Sequence, residues 1–297
     1  MTISVERESG TEEPVRAHGD VLGRGARVRY VEVGRGPVLV LLHDMLSSSV
    51  EWDDVVTQLA RKFRVVTIDL PGHGESEKLP PSHFAYGFDA FADATIDVIA
   101  ALGTARVHLC GRALGALVAI TIAAKYPAVV DRLALLAPDV YERRRPWTER
   151  AAAWPVLGGV FYKQLFGHAL FSQYFRAQLA DRSRLNEARV DTLFASFDEP
   201  AARQASHATL LALQDTRSVV ARLARVSAPA LVISGRHDRF ASVSAGRKLA
   251  RELERGRFEV LECAHSPAEE IPDEFVSLLG DFLLTARTSE RDVSRAR

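Results

Sequence analysis

Short apolar segments alternate with longer amphipathic segments along most of the chain. The short segments predict strands, and they cover residues 28–33, 37–42, 63–68, 106–110, 132–136, 230–234 and 258–261. The longer segments carry apolar residues at helical spacing, and they cover residues 88–102, 113–126, 243–253 and 273–286. Because buried strands that alternate with helices form parallel sheets, the pattern predicts an α/β protein with a mostly parallel, doubly wound sheet.

The alternation is interrupted over residues 139–228, which are helical in character and rich in aromatic residues. Ordinary strand-to-helix connections take a handful of residues, so an insertion this long predicts a separate helical subdomain, here called the cap. We expect most of its aromatic residues to pack on one another and a few to line an apolar pocket beneath it. The predicted division is a flexible arm (1–20), a core (21–138 and 229–287), the cap (139–228) and a charged tail (288–297).

The composition argues against several kinds of partner. The 297 residues include 38 Lys and Arg and 38 Asp and Glu, so a net charge of zero gives no basic surface for nucleic acid or an anionic membrane. The longest apolar stretch, residues 114–124, is too short to cross a bilayer, and residues 1–10 lack the features of a signal peptide. Two cysteines in such a chain give no disulfide framework. We therefore expect a cytoplasmic protein, and the sequence leaves its oligomeric state unknown.

Residues 110–115 read Cys-Gly-Arg-Ala-Leu-Gly and lie between a predicted strand and a predicted helix. The two glycines allow a turn sharp enough to raise residue 113 above the edge of the sheet, beside the N-terminus of the helix. This arrangement resembles the nucleophile elbow of the α/β-hydrolase fold family, with Gly111 and Gly115 as the elbow glycines. The resemblance puts Ala113 at the position of the nucleophilic serine.

Further motifs follow in the order that this family uses. Asp238 comes after the strand at 230–234 and His265 after the last strand, so the resemblance makes Asp238 the acid that orients His265, a base near neutral pH. Asp139 is a second, lower-ranked candidate for the acid. The turn at 69–76 also matches, and the family inserts its variable cap after the sixth strand. The resemblance further implies a loop that contacts substrate or an oxyanion, and it includes His43, Asp44, Met45, Ser48 and Leu114.

Ala113 is the first departure from the family pattern. Alanine has no hydroxyl group, so the covalent acyl-enzyme route is closed, and loss of the serine from a comparable triad lowers turnover by about 10⁶-fold. Cys110 is a poor replacement, because it lies three residues earlier on a predicted buried strand, where a small core side chain is expected.

Asp44 is the second departure, at a position that the family usually fills with glycine. If its carboxylate points outward, it is a tolerated turn residue. If it points inward, it repels an oxyanion that forms nearby, and desolvation would raise its pKa and make it a proton donor. The sequence favours neither orientation.

Three functions remain open at this point. The first is a non-hydrolytic enzyme in which His265 and Asp238 move a proton on a mostly apolar or aromatic small molecule, in an elimination, isomerisation, cyclisation or cofactor-free oxygenation. The second is a serine hydrolase for an ester, thioester or carbon–carbon bond, with its serine replaced by Ala113 through engineering. The third is a non-catalytic ligand-binding protein. The sequence contains no nucleotide-binding motif and no set of metal ligands, so we expect no cofactor and no metal.

Overall fold

Nine strands of the described residues form one sheet. The computed structural model describes residues 3–5 (backbone only), 16–141 and 157–285, apart from the side chains of residues 157, 161 and 163. The strands are β1 (Ile3–Val5), β2 (Arg16–Gly23), β3 (Ala26–Val33), β4 (Val38–Leu42), β5 (Arg64–Ile68), β6 (Val107–Arg112), β7 (Val130–Leu136), β8 (Ala230–Gly235) and β9 (Gly256–Leu261). Their order in the sheet is β1-β2-β3-β5-β4-β6-β7-β8-β9. All pairings from β5 to β9 in this order are parallel, so the predicted mostly parallel α/β sheet is confirmed.

Helices cover both faces of the sheet. They are α1 (Asp53–Leu59), α2 (Phe88–Ala101), α3 (Leu114–Lys125), α4 (Leu157–Val160), α5 (His168–Ala177), α6 (Glu187–Phe197), α7 (Pro200–Ala212), α8 (Arg217–Val220), α9 (Val243–Glu252), α10 (Pro267–Glu270) and α11 (Pro272–Leu284). Successive side chains of a strand point to opposite faces, so Val40 of β4 belongs to the hydrophobic cluster that includes residues of α2, α3 and α9, while Leu41 belongs to the cluster that includes residues of α1 and α11. In the described ranges, no helix has the length and apolar character needed to span a membrane.

The prediction of a flexible arm over residues 1–20 is wrong for residues 3–5 and 16–20, which lie in β1 and β2. Strand β2 pairs with β3 through a two-residue turn in which Arg24 and Gly25 have φ of 51° and 85°. Positive φ at both positions gives a hairpin turn whose twist matches the strands. Residues 16–23 lack a regular apolar alternation because β2 is half exposed, so hydrophobic periodicity did not reveal this strand.

The helices α4 to α8 follow β7, the sixth strand counted from β2, and they occupy the described part of the predicted cap. Phe171 is fully buried among aromatic rings of α5 and α6, with ring centroids 5.0 Å from Phe175 and 5.1 Å from Phe197. Trp147 and Trp154 of the predicted cap and the predicted tail lie outside the described residues. The aromatic residues of the described cap therefore pack largely on one another, as expected.

Candidate functional site

The turn between β6 and α3 is held in a strained conformation by its surroundings. Ala113 at its centre has φ of 42° and ψ of −103°, a left-handed conformation that typically costs about 1–3 kcal/mol in a residue other than glycine. A Cβ atom on Gly111 would lie 2.2 Å from the carbonyl oxygen of Gly115, and one on Gly115 would lie 2.2 Å from that of Leu42. Both glycines are therefore required for this close approach, and the turn presents Ala113 at the carboxyl edge of the sheet.

Asp44 points inward, which resolves the alternative that the sequence left open. Its side chain is buried, and Oδ1 accepts hydrogen bonds from the backbone N–H of Met45 at 2.6 Å and of Leu114 at 3.2 Å. In the family pattern, two elements supply the N–H groups that bind an oxyanion. They are the residue after the nucleophile and the loop that here follows β4. The carboxylate of Asp44 thus lies where those two N–H groups converge.

His265 lies between two carboxylates. Its Nδ1–H donates to Asp238 Oδ2 at 2.8 Å, and its Nε2 lies 3.5 Å from Asp44 Oδ2. The other oxygen of Asp238 accepts the backbone N–H groups of Phe240 and Ala241, so this carboxylate is fixed. The structure therefore brings together Asp238, His265, Asp44 and the turn at Ala113, and it pairs His265 with Asp238 rather than with Asp139.

The two carboxylates determine which member of the cluster carries the proton. Burial alone would lower the pKa of His265, but the charge and hydrogen bond of Asp238 and the contact with Asp44 raise this pKa to about 9. Burial alone would raise the pKa of Asp44, but His265, Arg112 and the N–H of Leu114 lower it to about 2. With this pKa, His265 is mainly an imidazolium at neutral pH. This differs from the expectation of a base near neutral pH at His265, and the lowered pKa of Asp44 does not fit a proton donor, because opposite charges outweigh desolvation.

A buried ion pair supports the cluster, and no pattern in the sequence indicated it. Arg112 donates from Nε and Nη2 to the two oxygens of Glu51, both at 2.7 Å, and from Nη1 to Gln178 and Ser266 at 2.9 Å. Glu51 also accepts the backbone N–H of Asp44 at 3.1 Å. The pair therefore anchors the loop of Asp44 to the elbow, and Arg112 Nη2 lies 3.9 Å from Asp44 Oδ2.

The remaining predicted site residues lie in the loops around this cluster, at the boundary with the cap or in the core. The ring of His43 donates from Nδ1 to the carbonyl oxygen of Asp44 and accepts the N–H of Leu70 at Nε2, so it joins two loops. Met45 and Leu114 contribute their backbone N–H groups. Ser48 is buried at the boundary with the cap. Cys110 is buried in the core, and burial raises the pKa of its thiol, in agreement with a packing role.

The cluster is almost fully covered. His265, Asp44 and Ala113 are 3%, 4% and 8% exposed. The ring of Phe240 lies 5.1 Å from that of His265, and the backbone N–H of His265 donates to the carbonyl oxygen of Gln178, just beyond α5. The cap therefore contacts the loop that carries His265.

The chain belongs to the α/β-hydrolase fold family, because the sequence model of that fold matches residues 37–270. It is 31% identical to the pimeloyl-[acyl-carrier protein] methyl ester esterase of Nitrosomonas europaea, over 85% of this chain and 98% of that protein. It is 26% identical to 3-oxoadipate enol-lactonase 1 of Acinetobacter baylyi, over 83% of this chain and 88% of the relative. The enol-lactonase structure from Burkholderia xenovorans superposes with a TM-score of 0.78 at 24% identity, covering 89% and 99% of the two chains.

These comparisons establish the family and the fold. The names of the two curated relatives describe an esterase and a lactonase, so they give no support to a non-hydrolytic reaction as such.

Proposed function

We propose that this protein is a non-hydrolytic enzyme in which the imidazolium of His265 donates a proton to an oxygen atom of a bound small molecule. One observation carries the proposal. The carboxylate of Asp44 accepts the N–H groups of Met45 and Leu114, while its second oxygen faces His265 Nε2 at 3.5 Å. A carboxylate thus lies where an acyl-transfer enzyme would stabilise its oxyanion.

Ester hydrolysis through a covalent intermediate is opposed at three points. Ala113 offers no attacking oxygen, and loss of such a serine costs about 10⁶-fold in turnover. The two N–H groups already bind the anionic oxygen of Asp44, and loss of one oxyanion donor costs about 10²- to 10³-fold. The pKa of His265 is raised to about 9, so only a minor fraction of the ring is neutral and able to accept a proton at neutral pH. Each effect alone would impair hydrolysis.

The same geometry suits general acid catalysis. Asp238 orients the imidazolium through Nδ1, so the Nε2–H is the proton that can be transferred. Donation of that proton to a carbonyl oxygen, with transfer of a proton from the adjacent carbon to the carboxylate of Asp44, gives an enol. The enol hydroxyl then returns its proton to His265 while Asp44 gives its proton to a carbon of the enol, so an isomerisation leaves the enzyme unchanged. In an elimination, His265 donates its proton to the departing hydroxyl, Asp44 takes the proton from the adjacent carbon, and water is released; transfer of the proton from Asp44 to His265, 3.5 Å away, restores the enzyme.

A serine hydrolase with an engineered Ala113 is the second candidate, and the names of the relatives favour it. The network around Asp44 argues against it, because one engineered substitution would not also provide a buried Asp44, Arg112 and Glu51 in mutual contact. A non-catalytic ligand-binding protein is the third candidate, and the low exposure of His265 favours it. The reactivity of the variant Ala113→Ser separates the first two candidates, and catalysis of proton exchange separates the first from the third.

Proton transfer at His265 is testable without knowledge of the natural substrate. We expect the protein to catalyse deuterium exchange at the carbon next to the carbonyl group in members of a panel of cyclic ketones and β-hydroxy ketones, because an acid near the oxygen promotes enol formation. Mass spectrometry in D₂O measures the exchange. His265→Ala should lower the catalysed rate by about 10²-fold or more. His237→Ala, which changes an exposed histidine on the same side of the sheet, should leave it unchanged. The proposal would be contradicted if no member of the panel exchanged deuterium, or if His265→Ala catalysed the exchange at the same rate as the wild-type protein.

A further inference from the structure

The loop that carries His265 is held in place through its backbone. It runs from the end of β9 to α10, and the N–H groups of Ala264, His265 and Ser266 all donate hydrogen bonds. The N–H of His265 donates to the carbonyl oxygen of Gln178 in the cap at 2.9 Å. The other two N–H groups donate to Oε1 of Glu270, at 2.8 Å from Ala264 and 3.4 Å from Ser266. One side chain thus binds the residues on both sides of His265.

Glu270 also connects this loop to the cap. Its second oxygen, Oε2, accepts the backbone N–H of Ala180 at 2.8 Å, just after Gln178 in the chain. Glu270 is 8% exposed, and a buried carboxylate needs hydrogen-bond donors in place of the water that it loses. Three backbone N–H groups from two distant segments of the chain supply these hydrogen bonds. The carboxylate therefore fixes the separation between the cap and the loop of His265.

The position of this loop determines how the ring of His265 meets its two carboxylates. Nδ1 lies 2.8 Å from Asp238 and Nε2 lies 3.5 Å from Asp44. Each of these carboxylates also accepts backbone N–H groups of its own loop, so both are held independently of residues 264–266. A displacement of the His265 loop would therefore change both distances, and a misplacement of about 1 Å between reacting groups can lower a rate by about 10²-fold.

We propose that Glu270 is a positioning residue that holds His265 within reach of Asp44 by tying the loop of His265 to the cap. As a contribution to a reaction, this role rests on the proposed function, because protons pass between Asp44, His265 and the substrate only over short distances. As a contribution to the geometry of the two residues, it does not depend on turnover. The preceding residue, Glu269, instead contacts Arg189 of α6 at 3.4 Å, so it offers a control with the same charge and length.

Shortening the side chain separates its reach from its charge. Glu270→Asp keeps the carboxylate but removes one methylene group, so the carboxylate no longer reaches the N–H groups of Ala264 and Ala180 together. We expect the pKa of His265 to fall by about half a unit or more, because the ring moves away from the two carboxylates that stabilise its charge. Titration of the ¹⁵N resonances of His265 by NMR measures this pKa in the full chain. Glu269→Asp is the matched control and should leave the pKa unchanged.

A second variant keeps the length of the side chain and tests the same role if the shorter one unfolds the protein. In Glu270→Gln, the amide nitrogen is unable to accept a hydrogen bond, so the N–H of either Ala264 or Ala180 loses its acceptor. We expect hydrogen exchange at that N–H to become about tenfold faster or more, and the pKa of His265 to fall further than in Glu269→Gln, which removes the same charge. Denaturant unfolding shows beforehand that each variant is folded.

The positioning role would be overturned if His265 titrated in Glu270→Asp as in the wild-type protein, or if Glu269→Asp lowered its pKa equally. Unchanged hydrogen exchange at both N–H groups in Glu270→Gln would also overturn it. Catalysis of deuterium exchange separates this role from the proposed function. If Glu270→Asp lowers the pKa of His265 while the wild-type protein catalyses no exchange, the positioning role stands and the proton-transfer function fails. If the wild-type protein catalyses exchange and Glu270→Asp matches it in both measurements, the function stands and the positioning role fails.

Discussion

Introducing the serine alone, as Ala113→Ser, should leave the protein unreactive towards a fluorophosphonate probe. The probe needs a deprotonated base beside the serine and free N–H groups for its phosphoryl oxygen. In this protein, Asp44 adds to the effect of Asp238 in raising the pKa of His265, and it accepts the N–H groups of Met45 and Leu114. Combining Ala113→Ser with Asp44→Gly frees these N–H groups and lowers the pKa of His265. We expect the double variant to be labelled about 10²- to 10³-fold faster than Ala113→Ser, measured by intact-protein mass spectrometry.

Two further variants make this comparison specific. Asp44→Gly alone should not be labelled, because it has no nucleophile. Ala113→Ser with Asp44→Asn keeps a side-chain oxygen against the two N–H groups but removes the charge, so its labelling should rise by no more than about tenfold, through the larger neutral fraction of His265, and stay well below that of the double variant with Asp44→Gly. Rapid labelling of Ala113→Ser by itself would contradict this expectation. It would show that the protein has the site of an ordinary serine hydrolase in which only the serine hydroxyl group is missing.

Arg112→Met should destabilise the protein by about 3–5 kcal/mol. The substitution leaves the carboxylate of Glu51, whose side chain is 8% exposed, without its buried partner, and an unpaired buried charge is costly. Replacing both residues, as Arg112→Met with Glu51→Leu, should recover a large part of this loss, because no charge is then left unpaired. Denaturant unfolding measures the free energy of unfolding of each variant.

The matched control for this series is an exposed pair. Arg257 contacts Glu259 with side chains that are 57% and 36% exposed, and Arg257→Met should cost less than about 1 kcal/mol. If Arg112→Met and Arg257→Met lowered the free energy of unfolding by similar amounts, the buried pair would not be the anchor of the Asp44 loop.

Most of the fold and the identity of the central residues could be predicted from the sequence. The carboxyl ends of parallel strands share one edge of the sheet, so residues that follow β4, β6, β8 and β9 had to come close together. Ala113, Asp238 and His265 follow three of these strands, and the order of their motifs matched the family. Local strand and helix patterns therefore carried enough information to assemble the turn and the histidine–aspartate pair.

The arrangement of charges could not be predicted in the same way. The orientation of Asp44 depends on the N–H of Leu114, 70 residues away, and the buried partner of Arg112 lies 61 residues before it. Gln178, which contacts Arg112, comes from the cap, whose sequence showed only helical character and aromatic residues. These interactions depend on the final packing of distant segments. For that reason the sequence predicted a base near neutral pH at His265, whereas the assembled cluster raises the pKa of this residue.

The role of His265 as a general acid depends on its protonation state. In protein labelled with ¹⁵N at histidine, the His265 resonances can be assigned by their absence in His265→Ala and followed from pH 6 to pH 10. We expect both ring nitrogens to be protonated at pH 7.5, the proton to be lost as the pH rises through about 9, and Asp44→Asn to lower this pKa by about one unit or more. A neutral imidazole at pH 7.5, with a titration midpoint near the ordinary value for histidine, would contradict a general acid at His265.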